Sequence, residues 1–136
     1  MKKISAIRIF SALLFLFVSI SSHAQEATLE HVDIHAFSDL IAQYANDENA
    51  HIIDVRTPEE FHAGHIKGAK VIDFYNKGFI DHLKSLDKDD TYLLYCRSGN
   101  RSGQTLRLMG QLGFTSVYDM KGGMKAWTKA QYPVVK

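Results

Sequence analysis

Cys96 is the one cysteine in a chain of 136 residues, and the residues after it are arranged for chemistry. The segment Cys96-Arg97-Ser98-Gly99-Asn100-Arg101-Ser102-Gly103 leaves an apolar, β-rich stretch and runs into a helical pattern. A loop in that setting can curl so that successive backbone N–H groups point inward and form an anion-binding nest. The helix start adds unpaired N–H groups and partial positive charge. Gly99 and Gly103 relax the steric limits on the curl, and Arg97 and Arg101 add full charges. A thiol in such a field ionises more readily than a free one, whose pKa is about 8.5. The thiolate is a nucleophile, and the same field would hold the anionic oxygens of a substrate. The competing reading is a polar turn with an incidental cysteine, since free cysteines are often buried as small hydrophobes. Two arginines, two glycines and a strand-to-helix setting favour the nucleophile.

The elements that must hold this loop alternate along the chain. Asp33 can cap a helix in which Phe37, Leu40, Ile41 and Tyr44 recur at helical spacing. His51 to Val55 reads as a buried strand. Thr57-Pro58-Glu59-Glu60 starts a helix: a capping hydroxyl, a proline at the first helical position, then two acids at the positive end. Ala69 to Phe74 is a further strand candidate and Phe79 to Leu86 a helix. Thr91 to Tyr95 is the strand that leads into Cys96. Ser102 to Leu112 is a helix stopped by Gly113, Ser116 to Met120 a strand, Gly122-Gly123 a turn, and Met124 to Ala130 a short last helix. Alternating strands and helices predict a parallel sheet with helices on both faces. Ligands in such folds sit at the carboxyl ends of strands, where Cys96 lies.

Hydrophobic residues make up 46% and charged residues 23% of the chain, with a net charge of +1. That balance is ordinary for a globular domain and advertises no nucleic-acid partner. Residues 1–24 differ from the rest. Lys2, Lys3 and Arg8 precede an apolar run from Ile9 to Ile20, and Ser22-His23-Ala24 follows. This is the order of a secretory signal peptide. The run is about 12 residues, against the ~20 needed to span a bilayer. The expected organisation is therefore a signal peptide over 1–24 and a single domain over 25–136. The protein would be exported to the periplasm or secreted, with no stable membrane insertion after cleavage. An uncleaved anchor is the alternative. A lone thiol in an oxidising compartment has no internal partner, which again makes Cys96 conspicuous.

Three pieces in order resemble the rhodanese family. They are Asp54-Val55-Arg56-Thr57-Pro58-Glu59-Glu60-Phe61 followed by His65-Ile66-Lys67-Gly68-Ala69, then Cys96-Arg97-Ser98-Gly99-Asn100-Arg101-Ser102, then Gly122-Gly123-Met124-Lys125-Ala126-Trp127. The resemblance covers roughly residues 28–132, and Lys67 departs from it where many members carry proline. It implies a three-layer α/β/α domain with a five-stranded parallel sheet. It implies that Cys96 takes a sulfane sulfur from a small sulfur-containing anion such as thiosulfate or polysulfide, becomes a persulfide, and passes the sulfur to a thiol or cyanide. It implies that the loop amides from Arg97 to Ser102 cradle the persulfide, with Arg101 at the anion site. No metal or organic cofactor is expected.

Asp54, Arg56 and Glu60 suggest a supporting role. Asp54 with Arg56, or Arg56 with Glu60, could pair, either to tune the site or merely to fix the turn. His65 is read as a turn residue with a hydrogen-bonding role, Trp127 as core packing, and His31, His35, His51, His62 and His82 as solvated. His62 and His65 are three apart, but no further ligand completes a metal site. Two rival functions stand beside sulfur transfer. A cysteine-loop phosphatase or arsenate reductase would use the same thiolate, but loops of that kind resemble Cys-x5-Arg, one residue longer than Cys96-x4-Arg101. A persulfide carrier or sulfide-sensing module would need no turnover at all. The sequence leaves the oligomeric state open.

Overall fold

The computed structural model describes residues 26–136; the expected signal segment lies outside them. Five strands form one parallel sheet: β1 (Thr28–Val32), β2 (Ala50–Asp54), β3 (Lys70–Val71), β4 (Thr91–Tyr95) and β5 (Ser116–Met120). Their spatial order is β1-β5-β4-β2-β3, which puts β4 in the middle between β5 and β2. The described residues also form five helices: α1 (Ile34–Gln43), α2 (Pro58–Ala63), α3 (Phe79–Ser85), α4 (Asn100–Gln111) and α5 (Gly123–Lys129).

Alternation along β4 divides the interior. Tyr92, Leu94 and Cys96 face one side, where they pack with Phe79 and Leu83 of α3 and Leu106 and Met109 of α4. Leu93 and Tyr95 face the other, with Phe37 of α1 and Met124 and Trp127 of α5. This period of two is the ordinary geometry of a strand buried on both faces. The sheet is therefore a middle layer between two helical layers, as the family resemblance implied.

The local signals explain most boundaries. Asp33 caps α1 by accepting from the His35 and Ala36 N–H groups, both at 2.9 Å. Thr57 and Glu60 form a reciprocal capping box at the start of α2. Gly113 follows α4 with φ +88°, the left-handed backbone that ends a helix. Two elements differ from the sequence reading. The strand expected over Ala69 to Phe74 shrinks to Lys70–Val71, because Asp73 turns the chain by accepting from the Tyr75 N–H at 2.9 Å. The strand β1 supplies the fifth strand that the resemblance implies, at a place where the sequence pattern marks none. Thr28-Leu29-Glu30-His31-Val32 has no buried residue, and only its pairing with β5 makes it a strand. No helix among the described residues is long and apolar enough to cross a membrane.

Candidate active site

Three strand-to-helix connections meet at the carboxyl edge of the sheet. They follow β2, β4 and β5, the three neighbouring strands. The middle one carries Cys96. Its residue is only 1% exposed, at the top of the layer shared with α3 and α4. The Gly99 N–H donates to Cys96 Sγ at 3.1 Å, and the Ser102 hydroxyl lies 3.4 Å from the same sulfur. Gly99 also caps α4 with φ +95°, a conformation that suits glycine and closes the curl. Burial pushes the Cys96 thiol up, but the Ser102 hydroxyl and the N–H groups of Ser102, Ser98 and Gly99 outweigh it and leave the thiol below its ordinary value. Of the loop's donors, the Gly99, Ser98 and Ser102 N–H groups and the Ser102 hydroxyl are the ones turned onto the sulfur.

The remaining loop residues divide. Arg97, Ser98 and Asn100 are exposed, and Asn100 Oδ1 accepts from Gln104 Nε2 at 2.6 Å. Arg101 does not point its fork at the cradle. Its Nη1 and Nη2 donate to Glu60 Oε2 and Oε1 at 2.8 and 2.9 Å, a two-pronged pair. This pair holds the Glu60 carboxyl down to about 2. The Arg101 guanidinium also lies 5.4 Å from the ring centre of Tyr75, a rim residue that is 67% exposed.

The pairing of Arg56 with Glu60, weighed from their spacing, is therefore corrected: Glu60 joins Arg101. Arg56 pairs with Asp54, the other pairing that the sequence offered. Its Nη2 donates to Asp54 Oδ2 and to the Gly64 carbonyl, both at 2.7 Å. Both residues are buried, so the pair ties β2 to the end of α2 and fixes the turn beneath the site. The His65 Nδ1–H donates to the Phe61 carbonyl at 3.0 Å, and the ring stacks on that of Phe61. The Trp127 indole N–H donates to the Pro133 carbonyl at 2.9 Å. His31, His35, His62 and His82 are exposed and His51 is half-buried; His31 also donates to the buried Asp119 at 2.7 Å and His51 to Asp90 at 2.8 Å. Among the described residues no cluster of three or more His, Cys, Asp or Glu is arranged to hold a metal.

Two clefts open beside the loop. One, of about 590 Å³, is lined by Tyr75, Arg97, Ser98, Asn100, Arg101 and Gln104. The other, of about 370 Å³, runs past Arg56, Glu60, Arg97, Met124, Lys125 and Val134. Arg97 and Glu60 line both. Sequence reading missed Tyr75 and the partner of Arg101, since neither sits in the segment that contains Cys96. A buried thiol held by N–H donors, in a loop whose Arg97 lines both clefts, is equipped to attack an electrophilic atom of a small anion.

A family model described as "Rhodanese-like domain" matches residues 37–130. The chain is 37% identical over 86 residues to a thiosulfate sulfurtransferase GlpE of Pseudomonas putida, covering 63% of this chain and 76% of that one. It is 38% identical over 84 residues to a probable adenylyltransferase/sulfurtransferase MoeZ of Mycobacterium tuberculosis, covering 60% of this chain and 21% of that one. Among solved structures, a rhodanese-related protein from Thermoplasma volcanium superimposes with a TM-score of 0.63 at 30% identity, covering 78% of this chain and 97% of that one. Fold, loop and relatives agree, and the chain belongs to the rhodanese-like domain family.

Proposed function

We propose that this sulfurtransferase moves a sulfane sulfur from a small anionic donor, thiosulfate or polysulfide, to a thiophilic acceptor through a persulfide on Cys96. The observation that carries the reading is the set of donors on Cys96 Sγ, which hold a thiolate and can equally hold the terminal sulfur of a persulfide. With thiosulfate, the Cys96 thiolate attacks the outer sulfur. A new S–S bond forms, the old one breaks, and sulfite leaves with the bonding pair. A thiolate or cyanide then attacks the terminal sulfur, and Cys96 leaves as the thiolate it began as.

Arg97 is the cation we assign to the donor's oxygens. It is exposed and lines both clefts, whereas the two terminal nitrogens of Arg101 are engaged by Glu60. That engagement also weighs against a phosphatase, whose arginine must face a tetrahedral oxyanion. The amino-terminal pattern supports export as a further part of the reading.

Intact mass measured after exposure to thiosulfate tests the proposal. The expected result is a gain of one sulfur atom that cyanide or a thiol removes, and that the Cys96→Ser variant lacks. An unchanged mass in folded wild-type protein, or an equal gain in the Cys96→Ser variant, overturns it. Steady-state turnover with thiosulfate and cyanide separates an enzyme from a carrier that loads once.

A further inference from the structure

By sequence Gly122-Gly123 is a turn and Met124 starts a helix; the structure brings this junction against the backbone of the catalytic loop. The Met124 N–H donates to the Cys96 carbonyl at 2.9 Å, and the Lys125 N–H donates to the Arg97 carbonyl at 3.0 Å. Both donors belong to the first turn of α5, where backbone N–H groups have no partner within the helix. In a planar trans peptide the C=O and the following N–H point in opposite directions. Fixing the Cys96 carbonyl on α5 therefore turns the Arg97 N–H away from α5. Fixing the Arg97 carbonyl turns the Ser98 N–H toward the thiol, where it is one of the groups that lower the Cys96 pKa.

Gly123 is what lets α5 come this close. Its φ is +56°. A Cβ built on it would stand 2.6 Å from the Arg97 carbonyl carbon and 2.7 Å from its oxygen, with the Cys96 oxygen nearer still. These neighbours are backbone atoms of the loop and cannot rotate aside as a flexible side chain would.

The geometry points to the first turn of α5 as the element that aims the cradle: Gly123 and the Lys125 N–H are positioning groups that act on Cys96 through the peptide planes of residues 96–98. The inference rests on Cys96 being the nucleophile of the proposed reaction. It touches neither donor nor acceptor, and it predicts thiol ionisation rather than sulfur transfer.

The test is the pH midpoint of Cys96 alkylation by iodoacetamide, with circular dichroism as the check on folding. Gly123→Ala should raise the midpoint by about one pH unit or more, because the donors it displaces act directly on the sulfur. Lys125→Pro removes one N–H at a first-turn position that tolerates proline. It is compared with Lys125→Ala, which lacks the same ammonium but keeps the N–H. The proline variant should show the higher midpoint of the two.

Folded Gly123→Ala with the wild-type midpoint, or equal midpoints for the two Lys125 variants, overturns the inference. If neither Gly123→Ala nor Lys125→Pro folds, the wild-type protein decides by NMR. Deprotonating Cys96 strains the same hydrogen-bonded chain, so the Lys125 amide proton should shift with the alkylation midpoint, and no such shift overturns the inference. Because alkylation needs no sulfur donor, a moved midpoint in a protein that gains no sulfur from thiosulfate would leave the positioning role intact and strike only the proposed reaction.

Discussion

Replacing Glu60 by glutamine removes one charge and little else. The capping box can survive, because a glutamine oxygen still reaches the Thr57 N–H, which Glu60 Oε2 now accepts at 3.1 Å. What disappears is the carboxylate that receives both terminal nitrogens of Arg101. That bond is the main reason Glu60 falls from an ordinary 4.5 to about 2. Such a displacement sets a ceiling of about 3 kcal/mol on the stability linked to Glu60 ionisation. The Glu60 side chain is 28% exposed, so solvent screening brings the expected contribution to about 1–2 kcal/mol.

The direction with pH follows from a folded pKa lying below the unfolded one. The stabilisation is complete above pH 4.5 and fades as the pH falls toward 2. Urea unfolding of wild type and Glu60→Gln between pH 7 and pH 2 should show a constant gap at neutral pH that narrows below 4.5. The variant should also leave Arg101 with a neutral partner and more net positive charge beside the loop, lowering the alkylation midpoint of Cys96 further. A stability gap that does not change across this range, or no gap at pH 7, would refute the claim that Glu60 and Arg101 act as an ion pair in the folded state.

Three more outcomes follow from the same geometry. Arg97→Ala should slow persulfide formation from thiosulfate about ten- to hundred-fold, the scale of one lost charge-assisted hydrogen bond, while cyanide discharge of a preformed persulfide suffers less; stopped-flow measurement of the two half-reactions reads this. Gly99→Ala should raise the Cys96 alkylation midpoint, because φ +95° strains alanine and its Cβ would stand 3.3 Å from the Gly122 nitrogen. Amino-terminal sequencing of exported protein should return Gln25, and a chain still beginning at Met1 would favour an uncleaved anchor.

What could be read from the sequence was local. β4 and β5 carry apolar, β-rich runs, and their ends coincide with the sequence reading. The Cys96 loop was legible because its strand, glycines, charges and helix are contiguous. β1 is different: its central Leu29, Glu30 and His31 are exposed, so burial left no periodic signal to read. Glu60 and Arg101 are 41 residues apart. Nearer charges offered Glu60 a simpler partner in Arg56, and only sheet topology decides between them. Because β2 lies beside β4, the start of α2 stands next to the start of α4. Because β5 lies on the other side of β4, the Gly122-Gly123 turn stands against Cys96 and Arg97.

This placement explains how a buried thiol is held below its ordinary value. The largest single influence on Cys96 is burial, which opposes ionisation, and the thiol is lowered only because several donors act together against it. A site balanced in that way depends on the order of its loop. Each N–H that turns aside removes part of the stabilisation while the sulfur stays buried, so a slackened loop yields a thiol less acidic than a free one, not merely an unshifted one. Reactivity is therefore a property of the folded arrangement around β4. The capping glycine of α4 closes the curl, and α5 takes the carbonyls that would otherwise turn inward. Arg101, tied to Glu60, braces the start of α4 against α2, which leaves the charge facing the clefts to Arg97 and, in the smaller one, also to Lys125.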